Sequence, residues 1–278
     1  MARKNRCGGL PARRFVQGPR VACVIGIART GLLLALMAVG MLAVIASANA
    51  QDYERESRWA EQTLATLLVG EPVQLEQKNG HRFLTLYTRA AHERGAIIIA
   101  HGRGWSPDYD LYGDLRTQLA EAGYSTLSIQ MPVLPSTAKI GDYLPIFPDA
   151  DERLALAIGW LHARGAAKVA IVSHSLGATM ANHFLIHTAD PGVDAWVFLS
   201  IINGLEDMFR IKIPVLDVFG SEDWDVTRYG ADERKAQIAR IAGSQQVIMA
   251  GGQHFYEGKR EALTALIVVF LDRVFKRG

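Results

Sequence analysis

The sequence predicts an α/β fold built on a doubly wound, mostly parallel β-sheet that helices cover on both faces. Three observations support this fold class. Short apolar runs rich in β-branched residues alternate with helical patterns along most of the chain. Several of these runs are apolar throughout, which is typical of strands buried on both faces. The chain has 278 residues, of which 49% are hydrophobic and 21% charged, so it can bury a large core.

The predicted strands are short runs of apolar or β-branched residues bounded by turn residues. The first alternates, with Phe83, Thr85 and Tyr87 on one face and Leu84 and Leu86 on the other. The later strands are mostly continuous apolar runs, and Pro214 introduces one of them. The strands are expected at Phe83–Tyr87, Ala96–Ala100, Ser125–Gln130, Val169–Val172, Ala195–Ile201, Val215–Phe219 and Gln246–Met249.

The predicted helices have apolar residues three or four positions apart. Leu64 and Leu68 show this spacing in the first helix, as do Leu154, Ile158 and Leu161 in a later one. The helices are expected over residues 53–69, around 110–122, over Asp151–Ala163, directly after Ser175, near 231–242 and over 259–275. Ligands of such sheets bind beyond the carboxyl ends of the strands, so the residues after each strand are the candidates for function.

Residues 1–50 are predicted to be a secretory signal peptide. They carry seven basic residues and no acidic residue, then an apolar stretch from Leu32 to Ala46 and the small-residue site Ala48-Asn49-Ala50. The apolar stretch has about 15 residues, fewer than the roughly 20 that a spanning helix needs, although an uncleaved anchor is the alternative. Cleavage near Ala50 would leave residues 51–278 as a single domain, periplasmic or secreted by a bacterium.

Charge and cysteine content exclude several classes of function. Seven of the 30 basic residues lie in residues 1–50, so the rest of the chain carries 23 basic and 28 acidic residues, a net charge of −5. A mildly acidic domain lacks the basic face of a nucleic-acid-binding protein. Both cysteines, Cys7 and Cys23, precede residue 51, and no metal-ligand spacing follows. We expect no nucleic-acid partner, no membrane attachment after cleavage, no metal and no cofactor, and leave the oligomeric state open.

A serine at a sharp turn is the first candidate for a catalytic residue. The run Val169–Val172 ends at Ser173-His174-Ser175-Leu176-Gly177, and a helix of small residues begins at once. This pattern is close to G-x-S-x-G, the nucleophile elbow, in which the serine lies on a strained turn between a strand and a helix. Ser173 stands where the first glycine is usual. It is small enough for the turn, but it departs from the pattern.

Two later strand exits carry side chains that could complete a catalytic triad with Ser175. Asp223 follows the strand Val215–Phe219, and His254 lies in a glycine-rich loop after the last strand. An acid at that position can hold a histidine in the tautomer that accepts the serine proton. Two other acids are close: Glu222 is expected to face water and Asp225 to cap the next helix, so Asp223 is the preferred acid.

The order Ser175, Asp223, His254 is the order of the triad in α/β hydrolases, and the sequence resembles this superfamily over nearly all of residues 80–278. Three segments are also similar to a bacterial family of exported hydrolase-like proteins without an assigned function: His101–Asp108, Leu216–Asp223 and Gly252–Phe255. The resemblance implies the α/β-hydrolase fold. The segment between Ile202 and Val215 is too short for a lid domain, so no large lid is expected.

These residues predict a serine hydrolase that cleaves an ester or thioester of a small or medium acyl group through an acyl-enzyme. Ser175 would attack the carbonyl carbon, His254 would take its proton, and Asp223 would orient His254. The N–H groups of Leu176 and Arg103 would form the oxyanion hole, with Gly104 as the alternative to Arg103. Contacts with the substrate are expected from Gly102, Gly104, Trp105, His174 and Trp224.

Other interpretations of the sequence stay open. The chain could be a catalytically idle hydrolase fold that serves as an exported binding or envelope-assembly module. Ser173 in place of glycine favours this alternative, whereas the three triad candidates argue against it. Amide cleavage is a variant of the hydrolase hypothesis. The proline-rich segment Met131–Pro148 could either form an acyl pocket or pack on the domain.

Overall fold

The computed structural model describes residues 51–202 and 204–276, so the predicted signal peptide and both cysteines lie outside the described residues. Eight strands form one sheet: β1 (Glu71–Glu76), β2 (Arg82–Thr88), β3 (Gly95–Ala100), β4 (Tyr124–Ile129), β5 (Val169–His174), β6 (Ala195–Leu199), β7 (Val215–Gly220) and β8 (Gln245–Met249). The α-helices are α1 (Tyr53–Thr66), α2 (Leu111–Glu121), α3 (Phe147–Ala163), α4 (Leu176–His187), α5 (Asp225–Tyr229), α6 (Ala231–Ile238) and α7 (Arg260–Phe275).

The sheet is doubly wound and mostly parallel, which confirms the predicted fold class. Its strand order is β1-β2-β4-β3-β5-β6-β7-β8. Strands β3 to β8 run parallel, and β2 is antiparallel to both of its neighbours, β1 and β4. The carboxyl ends of β3, β5, β6, β7 and β8 therefore lie along one edge of the sheet, where the candidate residues follow.

The core consists of two apolar layers, one on each face of the sheet. Alternate residues of β3 supply both, because Ile98 belongs to one layer and Ile97 and Ile99 to the other. Helices α3 and α4 cover the first layer, and α2 and α7 cover the second. This double coverage explains why the central strands are apolar throughout.

Strand β1 is not predicted by the sequence pattern, because only one of its side chains is buried. Glu71, Pro72, Gln74 and Glu76 are exposed, and Leu75 faces the core. The strand lies at the edge of the sheet and pairs with β2 alone. The predicted helix near residues 231–242 begins at Ala231 as expected but ends at Ile238, and a separate short helix, α5, precedes it.

Helix α1 forms where it was predicted, but the side chains that it buries are not the predicted apolar ones. Leu64 is 42% exposed, and Leu68, beyond the end of the helix, is 95% exposed. The buried side chains are Glu56 and Thr63. Glu56 accepts hydrogen bonds from the fully buried Arg153 guanidinium at 3.1 Å, so an ion pair rather than an apolar stripe attaches this helix to the core.

The proline-rich segment Met131–Pro148 packs on the domain through several buried side chains. Met131, Leu134, Tyr143 and Ile146 are buried in the core layer covered by α3. A 3₁₀ helix spans Ile140–Ile146, and α3 follows it directly, four residues earlier than predicted. Within the described residues, no helix has the length and apolarity needed to span a membrane.

Candidate active site

The turn at Ser175 has the geometry of a nucleophile elbow. Ser175 lies between β5 and α4 with φ 53° and ψ −123°, a backbone conformation that residues other than glycine rarely adopt. Its N–H bonds the Leu199 carbonyl at 2.9 Å. Gly177 is required for close approach, because a Cβ there would lie 2.3 Å from the His101 carbonyl oxygen. The helix start therefore packs directly against the loop after β3.

The departure at Ser173 has a local structural reason. Its side chain is fully buried, and its Oγ accepts a hydrogen bond of 2.8 Å from the Trp196 indole N–H on the neighbouring strand β6. A buried indole N–H without an acceptor would destabilise the fold. Serine at this position thus satisfies Trp196, and this packing explains why it stands in place of glycine.

The structure brings Ser175, His254 and Asp223 together. His254 Nε2 lies 3.1 Å from Ser175 Oγ, and His254 Nδ1 lies 2.7 Å from Asp223 Oδ1. All three residues are buried. Because an ionised carboxylate only accepts, Nδ1 carries the imidazole proton and Nε2 is left to accept the Ser175 proton. This is the arrangement that a serine nucleophile and its base require.

The acid of this group is ionised. Burial raises the pKa of Asp223, but the hydrogen bonds that it accepts from His254 and Ser200, with that from the Trp224 N–H, outweigh burial and hold the pKa below its usual value. The Trp224 indole stacks on the His254 ring, with ring centres 3.6 Å apart and planes 9° apart. Trp224 is 54% exposed, so it covers the imidazole and still reaches the surface.

The neighbouring acids lie elsewhere. Glu222 is exposed, as expected. Asp225 is expected to cap a helix, but it is the first residue of α5 and pairs with Arg228, while Trp224 occupies the cap position without a side-chain bond. Asp217 is fully buried on β7 and pairs with Arg234 at 2.9 Å. Among these acids, Asp223 is the one bonded to His254.

Close backbone contact holds the loops of Asp223 and His254 together. A Cβ on Gly220 would lie 2.0 Å from the Gly252 carbonyl oxygen, so only glycine fits there. That carbonyl accepts the Glu222 N–H at 2.9 Å, and the Met249 carbonyl accepts the Ser221 N–H at 2.9 Å. The two glycines therefore set the distance between the candidate acid and base.

The amides predicted for the oxyanion hole are available beside Ser175. Within the part of the chain that the structure describes, the N–H groups of Leu176 and Arg103 have no protein acceptor. A Cβ on Gly102 would lie 3.1 Å from Ser175 Cβ, so this loop passes next to the candidate nucleophile. The Arg103 side chain is exposed and bonds the Ala138 carbonyl at 3.1 Å. Gly104 adopts φ +75° beside Arg55.

His174 does not line the substrate site, contrary to the prediction. It is 1% exposed, and both ring nitrogens are bonded inside the protein. Nε2 lies 2.9 Å from the His254 carbonyl oxygen and must donate to it, so Nδ1 accepts from the Tyr112 hydroxyl at 2.8 Å. Tyr112 in turn accepts the Gly102 N–H at 2.9 Å. This chain of hydrogen bonds links the loop after β3, the turn that precedes α4 and the loop of His254.

The Gly102 N–H, predicted to lie where it could contact the substrate, is occupied as well, because it donates to the Tyr112 hydroxyl. Nothing in the sequence marks Tyr112 as part of the site, since its position between two strands is that of an ordinary helix residue of α2.

Trp105, predicted to contact the substrate, is half-buried. Its ring stacks on Tyr109 with centres 4.0 Å apart and meets the edge of Phe255 at 5.7 Å. It borders a cavity of about 390 Å³ between α1 and the loop after β3.

A second buried histidine lies below the loop after β3. His101 is 1% exposed, and its Nε2 accepts the Met131 N–H at 2.9 Å, so Nδ1 donates to the Gly102 carbonyl at 2.8 Å. Burial lowers the pKa of His101 to about 4 and that of His174 to about 3. Both imidazoles are therefore neutral at physiological pH.

The two neutral histidines are expected to make the fold acid-sensitive. In the unfolded chain they protonate below the ordinary histidine pKa of 6.5, but in the folded chain only near 4 and 3. The unfolded state thus binds more protons as pH falls, and the free energy of unfolding should drop by about 2 kcal/mol per histidine between pH 7 and pH 5. Urea unfolding at the two pH values measures this. Equal stability at both would contradict the assignment.

The described residues contain no group of three or more histidine, cysteine or acidic side chains placed to hold a metal ion. The groups assembled at this edge of the sheet are the side chains of Ser175, His254 and Asp223 and the amides beside them.

Residues 32–143 match a family described as a protein of unknown function, DUF3530. No curated protein matches the chain. Solved structures with a similar fold include an α/β serine hydrolase without a lid from Xanthomonas campestris, 16% identical with a TM-score of 0.60 over 74% of this chain and 95% of that one. An esterase from Pyrococcus furiosus is 14% identical, with a TM-score of 0.61 over 78% and 96% of the two chains.

A dienelactone hydrolase from Anabaena variabilis is 18% identical, with a TM-score of 0.57 over 73% of this chain and 98% of that one. At these identities the likeness establishes the fold. The predicted α/β-hydrolase fold is confirmed, and residues 200–214, between β6 and β7, are too few for a lid domain.

Proposed function

The chain has the α/β-hydrolase fold, and we propose that the protein is a serine hydrolase. We propose that it cleaves esters or thioesters of small or medium acyl groups. The observation that supports this most directly is the line of hydrogen bonds from Ser175 Oγ through His254 to Asp223 Oδ1, at 3.1 and 2.7 Å. Each bond has the direction that proton transfer from serine to histidine needs.

In the proposed reaction Ser175 Oγ attacks the acyl carbon while His254 Nε2 takes its proton. Negative charge develops on the carbonyl oxygen, and the N–H groups of Leu176 and Arg103 stabilise it. His254 then returns the proton to the leaving alcohol or thiol, and water releases the acyl group from Ser175 by the same steps. Asp223 keeps Nδ1 protonated and balances the charge of the imidazolium.

Reaction with a fluorophosphonate tests this proposal without knowledge of the substrate. A reactive Ser175 should be labelled at one site, and peptide mapping should place the label on the peptide that contains it. Hydrolysis of p-nitrophenyl esters from acetate to octanoate, and of the matching thioesters, then compares acyl length and leaving group. Wild-type protein that is folded yet neither labelled nor active on any ester would favour the idle binding module instead.

Two observations favour an active enzyme over the idle binding module. The hydrogen bond between Ser173 and the Trp196 indole explains the departure from the elbow pattern. The N–H groups of Leu176 and Arg103 have no acceptor in the described part of the chain, so both can bind an oxyanion beside Ser175.

We also propose export to the periplasm or the medium. If residues 1–50 are a cleaved signal, protein made with its full sequence in a Gram-negative host should begin at Gln51 and be recovered in the periplasmic extract. N-terminal sequencing and cell fractionation measure both. Recovery of the protein only in membranes, with the leader still attached, would show an anchored enzyme instead.

A further inference from the structure

Two buried residues near Asp223 have unusual backbone conformations. In the described part of the chain, the non-glycine residues with clearly positive φ are Asp110, Ser175, Ser200, Asp207 and Tyr256. Such conformations are unfavourable for residues other than glycine. They persist where the surrounding structure imposes them, often at active sites. Ser175 is the candidate nucleophile. Ser200, with φ 50°, and Tyr256, with φ 55°, are fully buried and have no part in the triad.

Ser200 contacts the candidate acid directly, and Tyr256 contacts Ser200. Ser200 directly follows β6, which pairs with β5 and β7, the strands that Ser175 and Asp223 follow. Tyr256 comes two residues after His254. Ser200 Oγ makes a short hydrogen bond with Asp223 Oδ2, the oxygen that does not face His254. Tyr256 Oη lies 2.8 Å from Ser200 Oγ and 2.9 Å from the Val218 carbonyl oxygen.

The number of hydroxyl protons limits the directions that these bonds can have. Asp223 is ionised and can only accept, so the single hydroxyl proton of Ser200 goes to Oδ2. In the contact between the two hydroxyls, Tyr256 must then be the donor. The single phenol proton of Tyr256 also faces the Val218 carbonyl at 2.9 Å, which accepts the Ser200 N–H at 2.8 Å and has a second lone pair, so this proton is shared between the carbonyl and Ser200 Oγ. The bonds therefore run from Tyr256 to Ser200 to Asp223.

We infer that Ser200 and Tyr256 are positioning residues for the proposed reaction, which set the Asp223 carboxylate so that Oδ1 faces His254 Nδ1. Ser200 binds the second carboxylate oxygen, and Tyr256 holds the Ser200 hydroxyl in place. Oδ1 is then free for the Trp224 N–H and for His254. This inference rests on the proposed function, because it concerns the acid of the same triad.

The backbone of Ser200 offers a sharp test of this role. Glycine suits a positive φ better than serine does, so Ser200→Gly relaxes the backbone while it removes the side chain with its hydroxyl. If Ser200 serves the fold alone, glycine should leave turnover unchanged. If it positions Asp223, kcat should fall by about ten- to hundred-fold, the range of a lost hydrogen bond to a charged group. KM should stay within about twofold, since neither residue reaches the surface.

Three further variants complete the experiment. Ser200→Ala keeps the unfavourable φ and should lose as much kcat as Ser200→Gly. Tyr256→Phe keeps the ring and should lose about three- to tenfold, the range of a bond between neutral groups. Because Tyr256 acts through Ser200, the double variant Ser200→Gly/Tyr256→Phe should be no slower than Ser200→Gly. Asp207→Gly, an exposed positive-φ position away from the site, is the matched control with unchanged kcat.

The readouts are kcat and KM for an activated ester, the rate of fluorophosphonate labelling, and the thermal midpoint as a check on folding. Folded Ser200→Gly with wild-type kcat and labelling rate would overturn the inference and leave the proposed function intact. Additive losses in the double variant would overturn the order of the bonds. Wild-type protein that is neither labelled nor active would overturn the proposed function and this inference with it.

Discussion

Replacing Ser175 with alanine is expected to lower the hydrolysis of an activated short-chain ester by about four orders of magnitude or more. The substitution removes the atom that forms the acyl bond. The fold should persist, because among the described residues the Ser175 side chain bonds His254 Nε2 alone, and its backbone bonds use groups that alanine keeps. Alanine adopts the positive φ of this turn with no more difficulty than serine.

The measurement compares kcat/KM and the thermal midpoint of Ser175→Ala with those of the wild type. Ser173→Gly is the matched control, because Ser173 is the other serine of the turn. It should keep activity within about tenfold and lose stability, since the Trp196 indole N–H loses its acceptor. Full activity in folded Ser175→Ala would mean that another residue attacks, and the elbow assignment would be wrong.

Asp223→Asn is expected to reduce kcat by about two to four orders of magnitude. The amide cannot balance the charge of the imidazolium that forms when His254 takes the serine proton. An NH₂ group that faces Nδ1 would also impose the tautomer in which Nε2 carries a proton and cannot accept another. Binding should change little, because Asp223 is 3% exposed and lies behind the imidazole.

Glu222→Gln and Asp225→Asn are the matched controls, since each removes one negative charge within two residues of Asp223. Both side chains are exposed and neither bonds His254, so each variant should cost less than about tenfold. Kinetics with one activated ester compares all three. A severe loss in Asp225→Asn with a mild loss in Asp223→Asn would move the acid two residues along the chain.

The sequence by itself determined the fold class and the residues that meet at the edge of the sheet. Apolar runs such as Ala96–Ala100 are strands because only burial on both faces suits them. Parallel strands end at one edge, so Ser175, Asp223 and His254 could be expected to approach one another before any coordinates were known. The edge strand β1 escaped prediction, because four of its six residues are exposed and carry no apolar pattern.

Only the tertiary structure decided what lies beneath and behind the site. Neighbours in sequence predicted that His174 would meet substrate, whereas packing turned it inward to Tyr112 and to the His254 carbonyl. Ser200 reaches Asp223 because β6 lies between β5 and β7, a relation set by strand order. The local sequence pattern predicts turns and the spacing of apolar residues. The partner of a buried polar atom is chosen by distant parts of the chain, since each such atom must find a hydrogen bond inside the protein.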